Sequence, residues 1–174
     1  LEIYGPKGIK RFLQEFIGLE KRNFRISVKE VSGKFYEAKD FVLSAEGMSH
    51  GIPCNAYSFV VKDKIRIDKA KLKKLKIPEG PLLKNLKEGK NISSNGKTFK
   101  AKDLTYSEKG KKVSVVFDTL FNKEIVPFVS GSDLLICEAS FSSELEKQAK
   151  EHLHLTAKQA GEIAKKYKSE KLFL

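Results

Sequence analysis

His50 is the first of only three histidines in a chain of 174 residues. It stands in the stretch Gly47-Met48-Ser49-His50-Gly51-Ile52-Pro53-Cys54, between two glycines and just before a proline. A neutral imidazole can ligate a metal or accept a proton; a loop imidazole that is simply hydrogen-bonded or solvated is the other reading. Two carboxylates lie in a comparable setting. Asp118 follows Val113-Ser114-Val115-Val116-Phe117, and Glu138 follows Leu134-Leu135-Ile136-Cys137. Both runs read as strands buried on both faces, and in α/β sheets ligands and catalytic groups gather at the C-terminal ends of such strands. Taken singly, either carboxylate serves equally well as a helix cap or a turn acceptor; taken together they point to chemistry. His152 and His154 follow in Glu151-His152-Leu153-His154-Leu155-Thr156. Being two apart, they face one way only if the loop bends, so one of them is expected to be functional. The helix-capping Thr156 that comes next favours His154 as the positioned one.

The elements that hold these residues follow from hydrophobic spacing. Phe41 to Ala45 and Ala56 to Val61 are apolar strand runs, which put His50 in the loop between them. Gly5-Pro6 turn chemistry precedes Ile9, Phe12, Leu13, Phe16 and Ile17 at helical intervals, a helix expected to pack on a sheet. Residues 24 to 31 alternate as a strand. Two helices close the chain, one with Leu145, Ala149 and Leu153 on a face and one with Ala157, Ala160, Ile163, Ala164 and Tyr167 behind the Thr156 cap. The result is a layered α/β domain without internal repeats. Its ends, Leu1 to Gly5 and Lys168 to Leu174, read as strands that start and stop abruptly, as in a piece cut from something longer.

Against 22 acidic residues stand 34 basic ones, a net charge of +12 that attracts polyanions, nucleic acid first among them. No apolar run approaches the roughly 20 residues of a membrane span. Cys54 and Cys137 lie far apart with no metal or redox spacing, which suits a reducing cytoplasm. Residues 62 to 76 are the most basic stretch, with Lys62, Lys64, Arg66, Lys69, Lys71, Lys73, Lys74 and Lys76. They continue into a segment with Gly80, Pro81, Lys84 and Lys87. The stretch is either a solvated helix and loop or a protruding arm that grips phosphates. Leu72, Leu75, Leu82, Leu83 and Leu86 suggest that it carries a small core of its own.

The order Leu-Glu-Ile-Tyr-Gly-Pro-Lys-Gly-Ile, Ser-His-Gly-Ile-Pro, Glu-Gly-Pro-Leu-Leu-Lys-Asn-Leu-Lys, Phe-Asp-Thr, Cys-Glu-Ala-Ser and His-Leu-His-Leu-Thr resembles ribonuclease Z across the whole chain. That family comprises tRNA 3′-processing endoribonucleases of the metallo-β-lactamase superfamily. The resemblance implies an α/β fold, the metallo-β-lactamase-type αβ/βα sandwich, of which residues 1 to 174 form the central and C-terminal part. It implies an inserted flexible tRNA-binding arm at 62 to 90, with Lys69, Lys71, Lys73, Lys74, Lys76, Gly80, Pro81, Lys84 and Lys87 on RNA. His50 and Asp118 match zinc ligands, Asp118 at the position that bridges two ions. Glu138 and His154 match a pair that acts in proton transfer. A homodimer acting on precursor tRNA is implied as well.

The family's Gly-Asp-Thr is Phe117-Asp118-Thr119 here, and its His-Glu-Ala-Thr is Cys137-Glu138-Ala139-Ser140. Its main zinc signature, His-x-His-x-Asp-His, does not occur. Two zinc ions need about six or seven protein donors, so the chain alone is expected to bind zinc weakly and to be inactive. Two other readings stand beside the enzyme: a metal-free RNA-binding module, and a hydrolase of small phosphodiesters with the same fold.

Overall fold

The computed structural model describes residues 1–17, 25–122 and 125–174, without the side chain of residue 126. In chain order the elements are β1 (Glu2–Gly5), α1 (Ile9–Ile17), β2 (Ser27–Glu30), β3 (Gly33–Glu37), β4 (Phe41–Met48), β5 (Cys54–Val61) and β6 (Lys64–Ile67). There follow α2 (Lys69–Lys74), α3 (Leu82–Lys87), β7 (Ile92–Ser94), β8 (Lys97–Phe99), α4 (Ala101–Leu104) and β9 (Thr105–Glu108). The last are β10 (Lys112–Val116), α5 (Ile125–Val129), β11 (Leu134–Cys137), α6 (Glu146–Glu151), α7 (Ala157–Lys166) and β12 (Leu172–Phe173). They form two compact units, Leu1–Val61 with Lys111–Leu174, and Lys62–Gly110.

The first unit is built on a six-stranded sheet of order β12-β11-β10-β5-β4-β3. Strands β3, β4, β5 and β10 are antiparallel neighbours, whereas β10, β11 and β12 run parallel. One face buries Met48, Ala56, Val116, Leu135 and Cys137 against Ile125, Val129, Leu155, Ala160 and Ile163. Helix α7 reaches this core because Ala160, Ile163 and Ala164 share a stripe. A capping box fixes its start: Thr156 Oγ1 accepts from the Gln159 N–H, and Gln159 Oε1 accepts from the Thr156 N–H.

The opposite face is only partly covered. Val113, Val115, Leu134 and Ile136 are half-buried, which corrects the expectation of strands buried on both sides. Tyr4 of β1 packs on Phe35, ring centroids 5.0 Å apart, and the Tyr57 hydroxyl donates to the Tyr4 carbonyl. Beside this cover, Leu43, Phe59, Val113 and Val115 line an apolar trough of about 350 Å³. The first helix is a second correction. Leu13 is buried, but Phe12 and Phe16 are exposed and stack on each other at 4.7 Å. Residues 18 to 20 of the expected helix and Phe24 of the expected strand lie outside the described residues. Gly5 has a steric reason: a Cβ there would sit 2.8 Å from Ile9 Cγ1. In the last part of the chain Ala149 is buried, yet Leu145, expected on the same face, is exposed.

The second unit pairs β6 with β9 and β7 with β8. It encloses its own core of Leu72, Ile77, Leu86, Ile92, Ala101 and Leu104. The small core read from the leucines is therefore present, although Leu75 and Leu82 are exposed. The basic stretch opens with a strand, and the unit runs on to Gly110, beyond the sequence-based boundary at residue 90. Asp68 caps α2 by accepting from the Lys71 N–H.

Candidate active site at the strand ends

Parallel pairing of β10 with β11 sets Val116 beside Cys137, so the chain leaves both strands on one edge, at Asp118 and at Glu138. The Glu138 N–H donates to the Val116 carbonyl at 2.9 Å, extending the ladder to the carboxylate itself. Asp118 sits at φ 47°, a left-handed conformation that aspartate adopts more readily than most residues other than glycine. The loop that follows Asp118 is tied to the loop of His50, since the Leu120 N–H donates to the Ser49 carbonyl at 2.8 Å.

Glu138 is the anchor of the group. Its side chain is 5% exposed, so its oxygens need partners, and they have three. Oε1 accepts from the Thr119 N–H at 2.5 Å; Oε2 accepts from the Ser140 hydroxyl at 2.8 Å and from His154 Nδ1 at 2.9 Å. A carboxylate oxygen only accepts, so His154 carries a ring hydrogen on Nδ1, and Nε2 is not engaged by Glu138. Asp118 Oδ1 lies 3.9 Å from the same Nδ1. Donor atoms of Asp118, Glu138 and His154 fall within 4.8 Å of one another.

His50 approaches from the β4–β5 loop. Its Nδ1 donates to the Leu153 carbonyl at 3.2 Å, and its ring centroid is 5.0 Å from that of His154. A backbone carbonyl on Nδ1 is the usual way of fixing a metal-binding imidazole, leaving Nε2 as donor to the metal. The carboxylates also make the site electronegative. Cys54, whose thiol lies 3.4 Å from the Phe117 carbonyl, is pushed up by burial and then by the charges of Asp118 and Glu138. Cys137 is pushed up to about 12, by burial first and Glu138 second. Such a field favours cations.

The structure thus brings together all four site residues read from the sequence. Asp118, Glu138 and His154 form the tight group, and His50 lies beside it through His154. Sequence reasoning passed over Thr119, Ser140 and the Leu153 carbonyl, which orient the others. Ser140 and Thr119 stood in the quoted runs as small hydroxyl residues next to the carboxylates, the one signal available. Spacing favours His154 over His152 and leaves the role of His152 open; the loop bends at Leu153, φ 60°, and both rings lie against Phe141.

The basic residues lie in the other unit. Lys73, Lys74, Lys76, Lys84 and Lys87 are exposed, and no carboxylate among the described residues pairs with them. Lys69 is 3.7 Å from Glu79, while Lys71 is 3.6 Å from Asp68 and donates to the Asp103 carbonyl. Gly80 is exposed, and Pro81 supplies the N-terminal boundary of α3. A cleft of about 900 Å³ is lined by Arg66, Lys69, Gly80, Lys84, Lys87 and Tyr106.

Solved structures define the class. A metallo-β-lactamase fold protein from Bacillus subtilis superposes with a TM-score of 0.58 at 16% identity, over 99% of this chain and 50% of that one. Human tRNase Z, short form, superposes with a TM-score of 0.62 at 20% identity, over 98% of this chain and 58% of that one. The chain has the metallo-β-lactamase fold. In sequence it is a homologue of ribonuclease Z: 38% identical to the enzyme of that name from Nanoarchaeum equitans over 165 residues, and 38% identical to that of Borreliella burgdorferi over 177 residues. These alignments take in 94% and 97% of the chain but 52% and 56% of the relatives, so the chain spans about half the length of the curated relatives it matches. No family model matches it.

Proposed function

We propose that the chain belongs to a zinc-dependent endoribonuclease that removes 3′ trailers from precursor tRNA. The observation that carries the reading is the convergence of Asp118, Glu138 and His154 at the ends of parallel strands, in a chain homologous to ribonuclease Z. The donor set fits zinc: an imidazole oriented by a backbone carbonyl and an exposed carboxylate, with a second, buried carboxylate behind them. His50 and Asp118 would hold the metal. When bound, a zinc pair supplies Lewis-acid polarisation of the phosphate and lowers the pKa of a water toward neutrality.

The chain's own residues supply the proton chemistry. Glu138 holds His154 through Nδ1, which leaves Nε2 free to take up a proton from solvent and pass it to the 3′-oxygen of the tRNA as the bond from that oxygen to the trailer phosphate breaks. Ser140 and the Thr119 N–H donate to Glu138 as well, one on each carboxylate oxygen, which holds that side chain in place. In the Lys62–Gly110 unit, Lys73, Lys74, Lys76, Lys84 and Lys87, exposed and without an acidic partner among the described residues, support contact with tRNA phosphates, a readout of shape rather than of base sequence. Two free cysteines suit a cytoplasmic setting, and the family resemblance supports a homodimer.

Incubation of the natural protein with a 3′-extended precursor tRNA, with and without a chelator, tests the reading. Chelator-sensitive release of the trailer leaving a 3′-hydroxyl supports it. Tight binding of the precursor with no cleavage under any divalent metal favours a non-catalytic RNA-binding module and removes the enzyme.

A further inference from the structure

His152 is the chemistry-bearing residue beside this site that the proton-transfer scheme leaves unused. Helix α6 ends at Glu151, and the His152 N–H caps it on the Gln148 carbonyl. Leu153 at φ 60° then reverses the backbone, and the His154 N–H returns to the Ala149 carbonyl at 2.8 Å. This bend sets both imidazoles against one phenyl ring. His152 lies nearly parallel to Phe141, with 13° between planes and 5.9 Å between centroids; His154 lies 6.1 Å from the same ring. Phe141 is itself fixed, because its N–H donates to the Leu155 carbonyl and its carbonyl accepts from the Ala157 N–H. The row His152, Phe141, His154, His50 therefore runs from solvent into the catalytic group.

We infer that His152, backed by Phe141, is a stacking platform for the unpaired nucleobase next to the cleaved phosphate. The inference rests on the ribonuclease reading and adds the group that holds the substrate strand at the cut. His152 is exposed and its ring makes no hydrogen bond among the described residues, so with one face on Phe141 its other face and its nitrogens are not committed to the fold. A flat ring on a rigid backing is what base stacking requires, and because every base has a π face the platform accepts any nucleotide. An enzyme that acts on many tRNAs with unrelated trailers needs that tolerance. His152 is a positioning residue: it touches the neighbour of the reacting phosphate and takes no proton from it.

The test uses precursor tRNA carrying 2-aminopurine at one of the two nucleotides flanking the cleaved phosphate, bound to the Asp118→Ala protein so that the substrate stays whole. Binding should quench the fluorescence, and His152→Ala in that background should abolish the quench. In the otherwise unchanged enzyme, His152→Ala should raise KM about tenfold, the size expected for one lost base-stacking contact, with the loss falling on KM rather than on kcat. His152→Tyr, which restores a flat ring, should recover both. Binding with the quench intact in His152→Ala, or failure of the Tyr variant to recover KM, overturns this inference alone. No measurable binding of the precursor by the unsubstituted protein overturns the ribonuclease reading and the platform with it.

Discussion

Replacing Glu138 by Gln separates hydrogen-bond direction from shape. The carboxylate accepts three bonds in a pocket where only 5% of its side chain is exposed, and glutamine fills the same volume with one acceptor and one donor end. If the amide oxygen stays on the Thr119 N–H, the NH2 group faces His154, and Nδ1 must become an acceptor. The ring hydrogen then moves to Nε2, and no carboxylate charge remains on Nδ1 to stabilise the doubly protonated ring that gives the leaving oxygen its proton. A hydrogen bond to a charged group contributes about 1.5–3 kcal/mol, and each 1.4 kcal/mol is about tenfold, so kcat for trailer removal should fall roughly 10- to 100-fold. If the amide turns the other way, two donors face each other at Thr119, and the cost of about 1–3 kcal/mol falls on stability instead. Steady-state cleavage of precursor tRNA, nitrogen-15 spectra of the histidine rings and a thermal melt read the two outcomes. A variant with unchanged kcat, unchanged Tm and the hydrogen still on Nδ1 would refute the orienting role given to Glu138.

Other predictions follow from the same structure. Asp118→Ala should abolish cleavage, whereas His154→Ala should slow turnover strongly and keep metal content nearly intact; loss of zinc in His154→Ala would show that this residue is a ligand instead. Charge reversal at Lys71, Lys73 and Lys74 should raise KM for precursor tRNA and lower the log-log salt slope by roughly 0.7–0.9 per lost phosphate contact, with hydrolysis of bis(p-nitrophenyl) phosphate unchanged; equal loss on both substrates would assign these lysines to the fold. Cys137 is held near pKa 12 against an ordinary 9.0, so the folded state binds the thiol proton more tightly than the unfolded chain. Its contribution to stability is complete below about pH 9 and declines as the pH rises toward 12. Iodoacetamide at pH 8 should therefore modify Cys137 slowly in the native protein and quickly in denaturant, and equal rates would contradict its burial.

The strands and their ends were legible because period and punctuation are local: Val113 to Val116 and Leu134 to Cys137 each run into a carboxylate, and Thr156 announces α7 with Gln159 at the capping-box position. What a strand face packs against is not local. Val113 and Ile136 have the composition of fully buried residues, yet they are half-buried, while Val116, Leu135 and Cys137 pack against Ile125, Val129, Ala160 and Ile163. Phe12 and Phe16 share the helical spacing of Leu13, but only Leu13 is buried. In the basic stretch the charge count was informative and the element type was not, because Ile65 and Ile67 between lysines and Arg66 mark a two-stranded ribbon whose partner, Thr105–Glu108, lies some forty residues on.

The histidines show how a single backbone angle decides what a motif can do. On spacing alone, His152 and His154 diverge, and choosing between them by the nearby Thr156 cap gives His154 all the chemistry. A left-handed Leu153 brings them back to one side, and the same residue turns its carbonyl onto His50. Three imidazoles, all the chain has, are thus arranged by one bend. Leucine lacks the freedom of glycine at positive φ, so the bend costs energy that the surrounding bonds to Lys150, Ala149 and His50 must offset. Leu153→Gly would relax the strain, and relaxation is a loss here: with both φ signs open, the orientation of His50 and the stacking of His152 on Phe141 should weaken together.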